Sequence, residues 1–341
     1  MVASPRVSVV ISTFNRLPLL QELLDALGRQ TYPRTDFEVI IVDDGSKVPV
    51  EPALSKRNDP YRLTVITQAN AGAAAARDAG IQQARGELVV ITDDDMIVPP
   101  EFIAEHVKAH DAGHSVVLGQ IADDGHLEGK PLFERFHADQ LARFVARYRE
   151  HPTAVRGVMV CTGNVSFRRR AYLEVGGFDR SLDRSEDREL GVRLQKAGEK
   201  LYFCASAVTR HRSDHTDLSV WMKRNFNYGV YDSRIHVRHP DRVDTDPWHF
   251  WFLVNPVSRA VLMTSVASPR LGATLSKLAY HSAEAFDRAR GVVPLAGRVA
   301  IAGATLSYGL EYFRGVRTEA GSLRKALGDL GAHTFKRLTK R

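Results

Sequence analysis

Four short apolar runs within the first 95 residues constrain this chain most: VSVVIST (7–13), FEVIIVDDGS (37–46), RLTVITQ (62–68) and ELVVITDDD (87–95). VSVVIST is a continuous β-branched run, the pattern of a strand buried on both faces, FEVIIV a second buried strand, RLTVITQ a third strand and ELVVIT a fourth. Between them, RLPLLQELLDALGRQ (16–30) places Leu19, Leu20, Leu23, Leu24 and Leu27 at helical spacing. AGAAAARDAGIQQARG (71–86) is a second helix with small residues at its start. Strands alternating with helices predict an α/β fold with a parallel sheet and right-handed crossovers. In such sheets ligands bind at the carboxyl edge. Two strands end there in acids, DDGS and DDD. A single aspartate at a strand end is often a turn residue or helix cap. Five carboxylates along one edge repel one another unless a cation joins them.

The rest of the chain is less regular. Residues 100–160 read as helical, with many aromatics and arginines. CTGNVSFRRRAYLEVGGFD (161–179) reads as a short strand, a helix and a Gly-Gly turn. SEDRELGVRLQKAG (185–198) reads as an amphipathic helix with Ser185 as its N-cap and Glu186 and Asp187 in the first turn, where the helix dipole favours anions. KLYFCASAVTRHRS (200–213) is a last strand, and the pattern beyond Trp221 is helical and basic.

Aspartates following a buried strand suit Mn2+ or Mg2+, which take oxygen ligands and leave positions open for phosphate. Four motifs in order then give a resemblance: VSVVISTFNR (7–16), VIIVDDGS (39–46), NAGAAAARDAGIQQARGELVVITDDD (70–95) and GNVSFRRRAYLEVGGFD (163–179), followed by EDRELGVRL (186–194). Over roughly residues 5–230 the chain resembles the family 2 glycosyltransferases, inverting enzymes of the GT-A fold. One departure is Asp78, where the family more often has asparagine.

The resemblance implies a Rossmann-like, mostly parallel sheet flanked by helices, with a mainly helical C-terminal extension. It implies a GT-A domain over 1–230, with a nucleotide half at about 1–98 and an acceptor half at about 99–230. It also assigns roles. Thr13, Asn15 and Arg16 line the nucleoside pocket. Asp44, with Asp43 beside it, accepts from the base imide, whose ring N–H needs a buried acceptor; a cap is the competing role for Asp43. Arg77 reaches base or diphosphate, or pairs with Asp44. Asp93 and Asp95 bind the metal, with His211 as third ligand in preference to His215. Asp94 faces the ribose or donor sugar. Asp187 is the general base and Glu186 its neighbour on the acceptor side. Asn164 contacts the donor sugar or serves a turn. Trp221 stacks on a sugar and Arg224 contacts the diphosphate, unless both belong to ordinary helix packing. Arg168, Arg169 and Arg170 read as a solvated face.

The implied partners are a nucleotide-sugar donor, with UDP as first reading and GDP and dTDP open, and a glycan, glycolipid or small-molecule acceptor. Two other readings are a catalytically degenerate nucleotide-binding scaffold and a nucleotidyltransferase. The second expects a Gly-rich loop after the first strand, where this chain reads STFNRLP.

Residues 231–341 lie outside the resemblance. The formal net charge is +7, but residues 1–100 carry −3 and residues 213–341 carry +8. Apolar segments beside basic ones suit an anionic membrane surface; packing on the core or a second subunit is the competing reading. No recognition-helix motif points to nucleic acid. The first apolar run is too short for a signal core, and no run reaches a spanning length. With two cysteines, Cys161 and Cys204, the chain is neither a disulfide scaffold nor a CxxC zinc protein. The expected location is the cytoplasm or the cytoplasmic face of a membrane.

Overall fold

The computed structural model describes residues 4–123, 125–127, 129–213 and 216–339. The chain divides into two compact units, residues 1–126 with 140–214, and residues 127–139 with 215–341.

The first unit opens with β1 (Val7–Thr13), α1 (Leu17–Leu27), β2 (Phe37–Asp43), α2 (Glu51–Leu54), β3 (Arg62–Thr67), α3 (Ala73–Gln83) and β4 (Leu88–Thr92). There follow β5 (Met96–Ile97), α4 (Phe102–Asp111), β6 (Val116–Asp123) and α5 (Leu132–Tyr148), whose first turns fall in the second unit. The unit ends with β7 (Asn164–Arg168), α6 (Arg169–Glu174), α7 (Glu186–Lys196) and β8 (Leu201–His211).

The eight strands form one sheet in the order β3-β2-β1-β4-β7-β6-β8-β5. β1 is central to its parallel half, paired with β2 through Val9↔Val39 and with β4 through Val9↔Val90. Beyond β4 the sheet is mixed, because β7 runs antiparallel to both β4 and β6. Side chains alternate across a strand, so β1 serves two cores at once. Val9 and Ile11 meet Leu20, Leu23 and Leu24 of α1 with Phe102 and Ile103 of α4. Val10 joins Ala76 and Ile81 of α3 on the other face. Burial on both faces is why these strands read as continuous apolar runs.

The expectation of helix throughout 100–160 is corrected by β6. Its VVLG start is buried in the sheet, paired with Phe167, Ser166 and Val165 of β7. A run that short carries no period by which to tell strand from helix.

The second unit is helical: α8 (Leu218–Arg238), α9 (Pro256–Ala267), α10 (Pro269–Arg288), α11 (Ala296–Glu319) and α12 (Leu323–Thr339). Asp217, Asn255 and Ser268 cap α8, α9 and α10 by accepting from Ser219, Ser258 and Leu271 backbone N–H groups, which satisfies otherwise orphaned donors. An aromatic core of Trp248, Trp251, Phe250 and Phe313 holds α9, α11 and α12 together. Among the described residues no helix is long and apolar enough to cross a membrane.

Candidate active site

The carboxyl ends of β1, β2 and β4 lie side by side, as the pairing of Thr13 with Asp43 shows. Each strand delivers its terminal polar residues to one edge.

The first cluster is built on β1 and the Asp94–Asp95 turn. Thr13 Oγ1 donates to Asp94 Oδ2 at 2.7 Å. Arg16 Nη1 lies 2.6 Å from Asp95 Oδ2 and 3.5 Å from Asp94 Oδ1. His211, at the end of β8, brings Nε2 to 3.5 Å from Asp95 Oδ2. Its backbone position follows from the pairing of Met96 with His211. The two acids differ in proton affinity. Burial pushes Asp94 up to about 6, against the Thr13 hydrogen bond. Burial also works against charge on Asp95, but His211 and Arg16 outweigh it and hold this carboxyl below its ordinary range.

Asn15 sits in the left-handed region at φ +59, a conformation asparagine tolerates better than most residues. Its amide N–H donates to Ser46 Oγ and its Oδ1 accepts from the Lys47 amide, both at 2.8 Å. Asn15 thus ties the β1 loop to the β2 loop.

The second cluster joins β4 to α7. Arg77, buried on α3, donates from Nη2 to Asp93 Oδ1 at 2.7 Å and from Nη1 to Glu186 Oε1 at 2.8 Å. The expected pairing with Asp44 is replaced: the guanidinium bridges two acids 93 positions apart in sequence. Burial works against its charge, but Asp93 and Glu186 hold its pKa above normal. Beside it, Asp187 Oδ2 accepts from the Thr162 amide at 3.2 Å and Oδ1 from the Arg188 amide at 2.8 Å. Burial, then Glu186, push Asp187 up to about 7, against Arg77 and those two amides. A carboxyl with that affinity can accept a proton near neutral pH.

The start of α7 differs from expectation. Ser185 adopts φ +59 and its side chain makes no cap hydrogen bond. Its Oγ is buried without a partner. A non-glycine residue held there marks local strain, which clusters at functional sites. Close packing also fixes the helix, since a Cβ on Gly191 would stand 2.2 Å from Gly157 O and 2.5 Å from Val160 Cγ2. Gly191→Ala is expected to cost about 1–3 kcal/mol by overpacking. The same change displaces Asp187, so transfer should fall together with the denaturant midpoint; activity at the wild-type level in a destabilised variant would separate the two.

Arg77→Met leaves Glu186 buried without its partner. Removing one member of a buried ion pair costs roughly 3–5 kcal/mol. Asp93 is partly exposed, with side-chain exposure of 32%, so about 2–3 kcal/mol is expected here. A urea midpoint shifted at constant m-value is the check.

Several predicted residues are placed elsewhere. Asp43 caps the loop after β2: Oδ1 accepts from the Ser46 amide at 2.9 Å and Oδ2 from the Val50 amide at 3.0 Å, with no exposed surface left for a base. Asp44 accepts from Gln68 Nε2 and the Ala71 amide on Oδ1, and from the Gly72 amide on Oδ2, each at 2.8–2.9 Å. Asn164 is a core residue. Its Oδ1 accepts from His106 Nε2 at 2.9 Å, and its Nδ2 donates to Ala207 O at 2.8 Å and Gln120 O at 3.0 Å. With both amide hydrogens donated and the residue buried, it serves the core of the sheet. Trp221 lies in the second unit, buried among Phe133, Phe136 and Tyr280 at centroid distances of 5.8, 5.9 and 5.4 Å. That packing matches the ordinary helix-packing alternative for Trp221. Arg224 follows it on α8, also in the second unit. Asp78 accepts from the Tyr172 hydroxyl at 2.7 Å and from Arg180, tying α3 to the segment after α6. His215 lies outside the described residues.

Sequence reasoning missed the Thr162 amide, which holds Asp187, and the Arg77 bridge. The only signal for the bridge was a charged residue within an alanine-rich helix.

A divalent cation fits part of the expected ligand set. Asp95 Oδ1 is buried without a hydrogen-bond partner, and His211 stands beside the other oxygen. Asp93 Oδ1 accepts from Arg77, and among the described residues no three acidic, histidine or cysteine side chains gather into a metal site. Two protein ligands, completed by phosphate and water, are enough for Mn2+ or Mg2+.

Comparison with known proteins agrees with this architecture. The model of the family "Glycosyl transferase family 2" matches residues 8–177. Validoxylamine A glucosyltransferase of Streptomyces hygroscopicus subsp. jinggangensis is 32% identical over 221 residues, covering 57% of this chain and 52% of that protein. The chain thus spans about half the length of that relative. The uncharacterized glycosyltransferase YwdF of Bacillus subtilis is 30% identical over 210 residues, covering 60% of this chain and 73% of that protein. Among solved structures, residues 1–349 of S. aureus TarS superpose with a TM-score of 0.57 at 18% identity, covering 94% of this chain and 91% of that one. The mannosyltransferase PcManGT of Pyrobaculum calidifontis, in complex with GDP-Man and Mn2+, gives 0.54 at 20% identity over 96% and 87%. Motif order, sheet topology and these relatives converge: the chain belongs to glycosyl transferase family 2 and has the GT-A fold.

Proposed function

We propose that this chain is an inverting glycosyltransferase that moves a sugar from a nucleotide donor to an acceptor hydroxyl, with Asp187 as general base. The observation that carries the proposal is the Arg77 bridge. It sets the acidic end of β4 and the start of α7 one guanidinium apart, so a donor diphosphate at the first and a base at the second serve one reaction centre.

The chemistry is a single in-line displacement. Asp187 takes the proton of the acceptor hydroxyl. The acceptor oxygen bonds to the anomeric carbon on the face opposite the nucleotide. The bond from that carbon to the diphosphate oxygen breaks, and the nucleoside diphosphate carries the electron pair away. Glu186, held by Arg77, leaves Asp187 as the acid with raised proton affinity.

Asp95 and His211 would hold Mn2+ or Mg2+, which when bound neutralises charge on the departing diphosphate. On this reading Thr13 and Arg16 line the nucleotide pocket, with Asp94 toward the ribose or donor sugar. Asp44 Oδ2 takes the Gly72 amide, and a second lone pair there suits a base N–H.

UDP is the first reading for the carrier. It is supported by S. aureus TarS, solved with UDP and with UDP-GlcNAc at a TM-score of 0.50 to this chain. PcManGT, solved with GDP-Man and Mn2+, keeps GDP open. The acceptor is a glycan, glycolipid or small molecule, the last in keeping with the name of the validoxylamine A enzyme.

The test is a thermal-shift panel of UDP, GDP and dTDP with and without Mn2+. Saturating ligand at about 100 times Kd stabilises the folded state by about 2.7 kcal/mol. A rise in Tm with one nucleotide plus Mn2+ is expected. No shift with any of the three would overturn the donor site.

A further inference from the structure

We propose that the tip between α10 and α11 is a membrane-docking element that seats on anionic phospholipid. The two helices form an antiparallel hairpin. Ser276 Oγ lies 3.0 Å from Ser307 Oγ, and a Cβ on Gly303 would stand 2.7 Å from Ala283 Cβ. Such close packing makes the hairpin stiff. At its tip the apolar side chains point outward: Val292 is 88% exposed, Leu295 63% and Val293 49%, with Phe286 and Val299 also exposed.

Isolated exposed apolar residues need no explanation, but a contiguous set does. Leu295 carries a second signal. It sits at φ +71, a left-handed conformation that is costly for a leucine. The chain therefore keeps both strain and exposure at one residue where asparagine or glycine would remove both.

Charge selects the occupant. Arg288, Arg290 and Arg298 flank the apolar tip on the exposed surface. The one acid of residues 285–299, Asp287, is buried and paired with Arg135 and Arg290. Arg288 and Arg298 have no ion-pair partner among the described residues. Apolar side chains flanked by exposed arginines match the interface of an anionic bilayer, where the tip enters the acyl boundary and the guanidinium groups meet phosphate.

The test is flotation of the full chain with vesicles of phosphatidylcholine alone and with vesicles that also carry phosphatidylglycerol. The wild type is expected to float with the anionic vesicles only, less so as salt rises. Each basic residue near such a surface contributes about 1 kcal/mol, so Arg288→Gln with Arg298→Gln should weaken binding on the order of 25-fold. Val292→Asp with Leu295→Asn should abolish it. Asparagine keeps the left-handed turn, so Tm is expected to hold, which separates lost docking from lost folding. The proposal is overturned if the wild type ignores anionic vesicles or if the tip variants float like the wild type. It is equally overturned if the tip instead joins two copies, seen as a dimer that Val292→Asp with Leu295→Asn dissolves. Vesicle binding needs no turnover, so its outcome is independent of the transferase assignment.

Discussion

Asp187→Asn is expected to lower turnover by about 10²–10⁴-fold, the range assigned to a positioned general base, while leaving nucleotide binding intact. The amide keeps the shape of the side chain but has no basic oxygen to accept the acceptor proton. The measurement is kcat with the transferred sugar followed directly, alongside the nucleotide-induced Tm shift. Loss of turnover with the shift retained is the signature; a variant with wild-type kcat removes Asp187 from the chemistry.

The same residue predicts two opposed pH dependences. Its carboxyl is pushed up to about 7 by burial first and Glu186 second. The base must be ionised, so the rate should rise with pH through about 7, and this acid limb should vanish in the residual activity of Asp187→Asn. Stability runs the other way. A group whose folded pKa lies above its unfolded value contributes stability that is present at low pH and lost as pH rises through the folded value. The window runs from the ordinary carboxylate range up to about 7. Asp187→Asn removes the buried charge, so the variant should melt at or above the wild-type temperature at pH 8. A catalytic loss coupled to a stability gain is a known trade at active sites, and a merely structural carboxylate would not produce it.

Asp95→Ala is the second large effect. Its Oδ1 is the buried oxygen without a hydrogen-bond partner, and its Oδ2 carries Arg16 and His211. A bound cation supplies several kcal/mol of charge stabilisation to a leaving diphosphate. At 1.36 kcal/mol per tenfold, the expected loss in transfer is on the order of a thousandfold. The nucleotide Tm shift should also lose its dependence on Mn2+. Isothermal titration with Mn2+ and nucleotide checks this without turnover. Undiminished Mn2+-dependent binding in the variant would move the cation to other residues.

Much of the first unit was legible from local pattern. Runs such as VSVVIST and FEVIIVD read as strands from their β-branched residues and from their alternation with helical segments. Strand ends carrying DDG and DDD then locate an edge. β6 was not legible, since eight residues without alternation carry too little periodicity.

The roles of individual site residues were less legible, for a different reason. Asp43 and Asp44 are neighbours of the same type. One is spent on the Ser46 and Val50 amides, and the other holds Gln68 and the start of α3. Asn164 looked like a ligand residue until His106, 58 positions away, proved to occupy its carbonyl.

Periodicity and motif order, which are local, were enough for the α/β class, the acidic edge and the family. Which carboxylate is held, which is left with an unsatisfied oxygen and which is desolvated depended on tertiary contacts. Arg77 has one guanidinium and several acids within its chemistry, and chain folding, not spacing, awards it to Asp93 and Glu186. Hydrogen-bond donors are limited and directional, so each such contact decides what remains for a ligand.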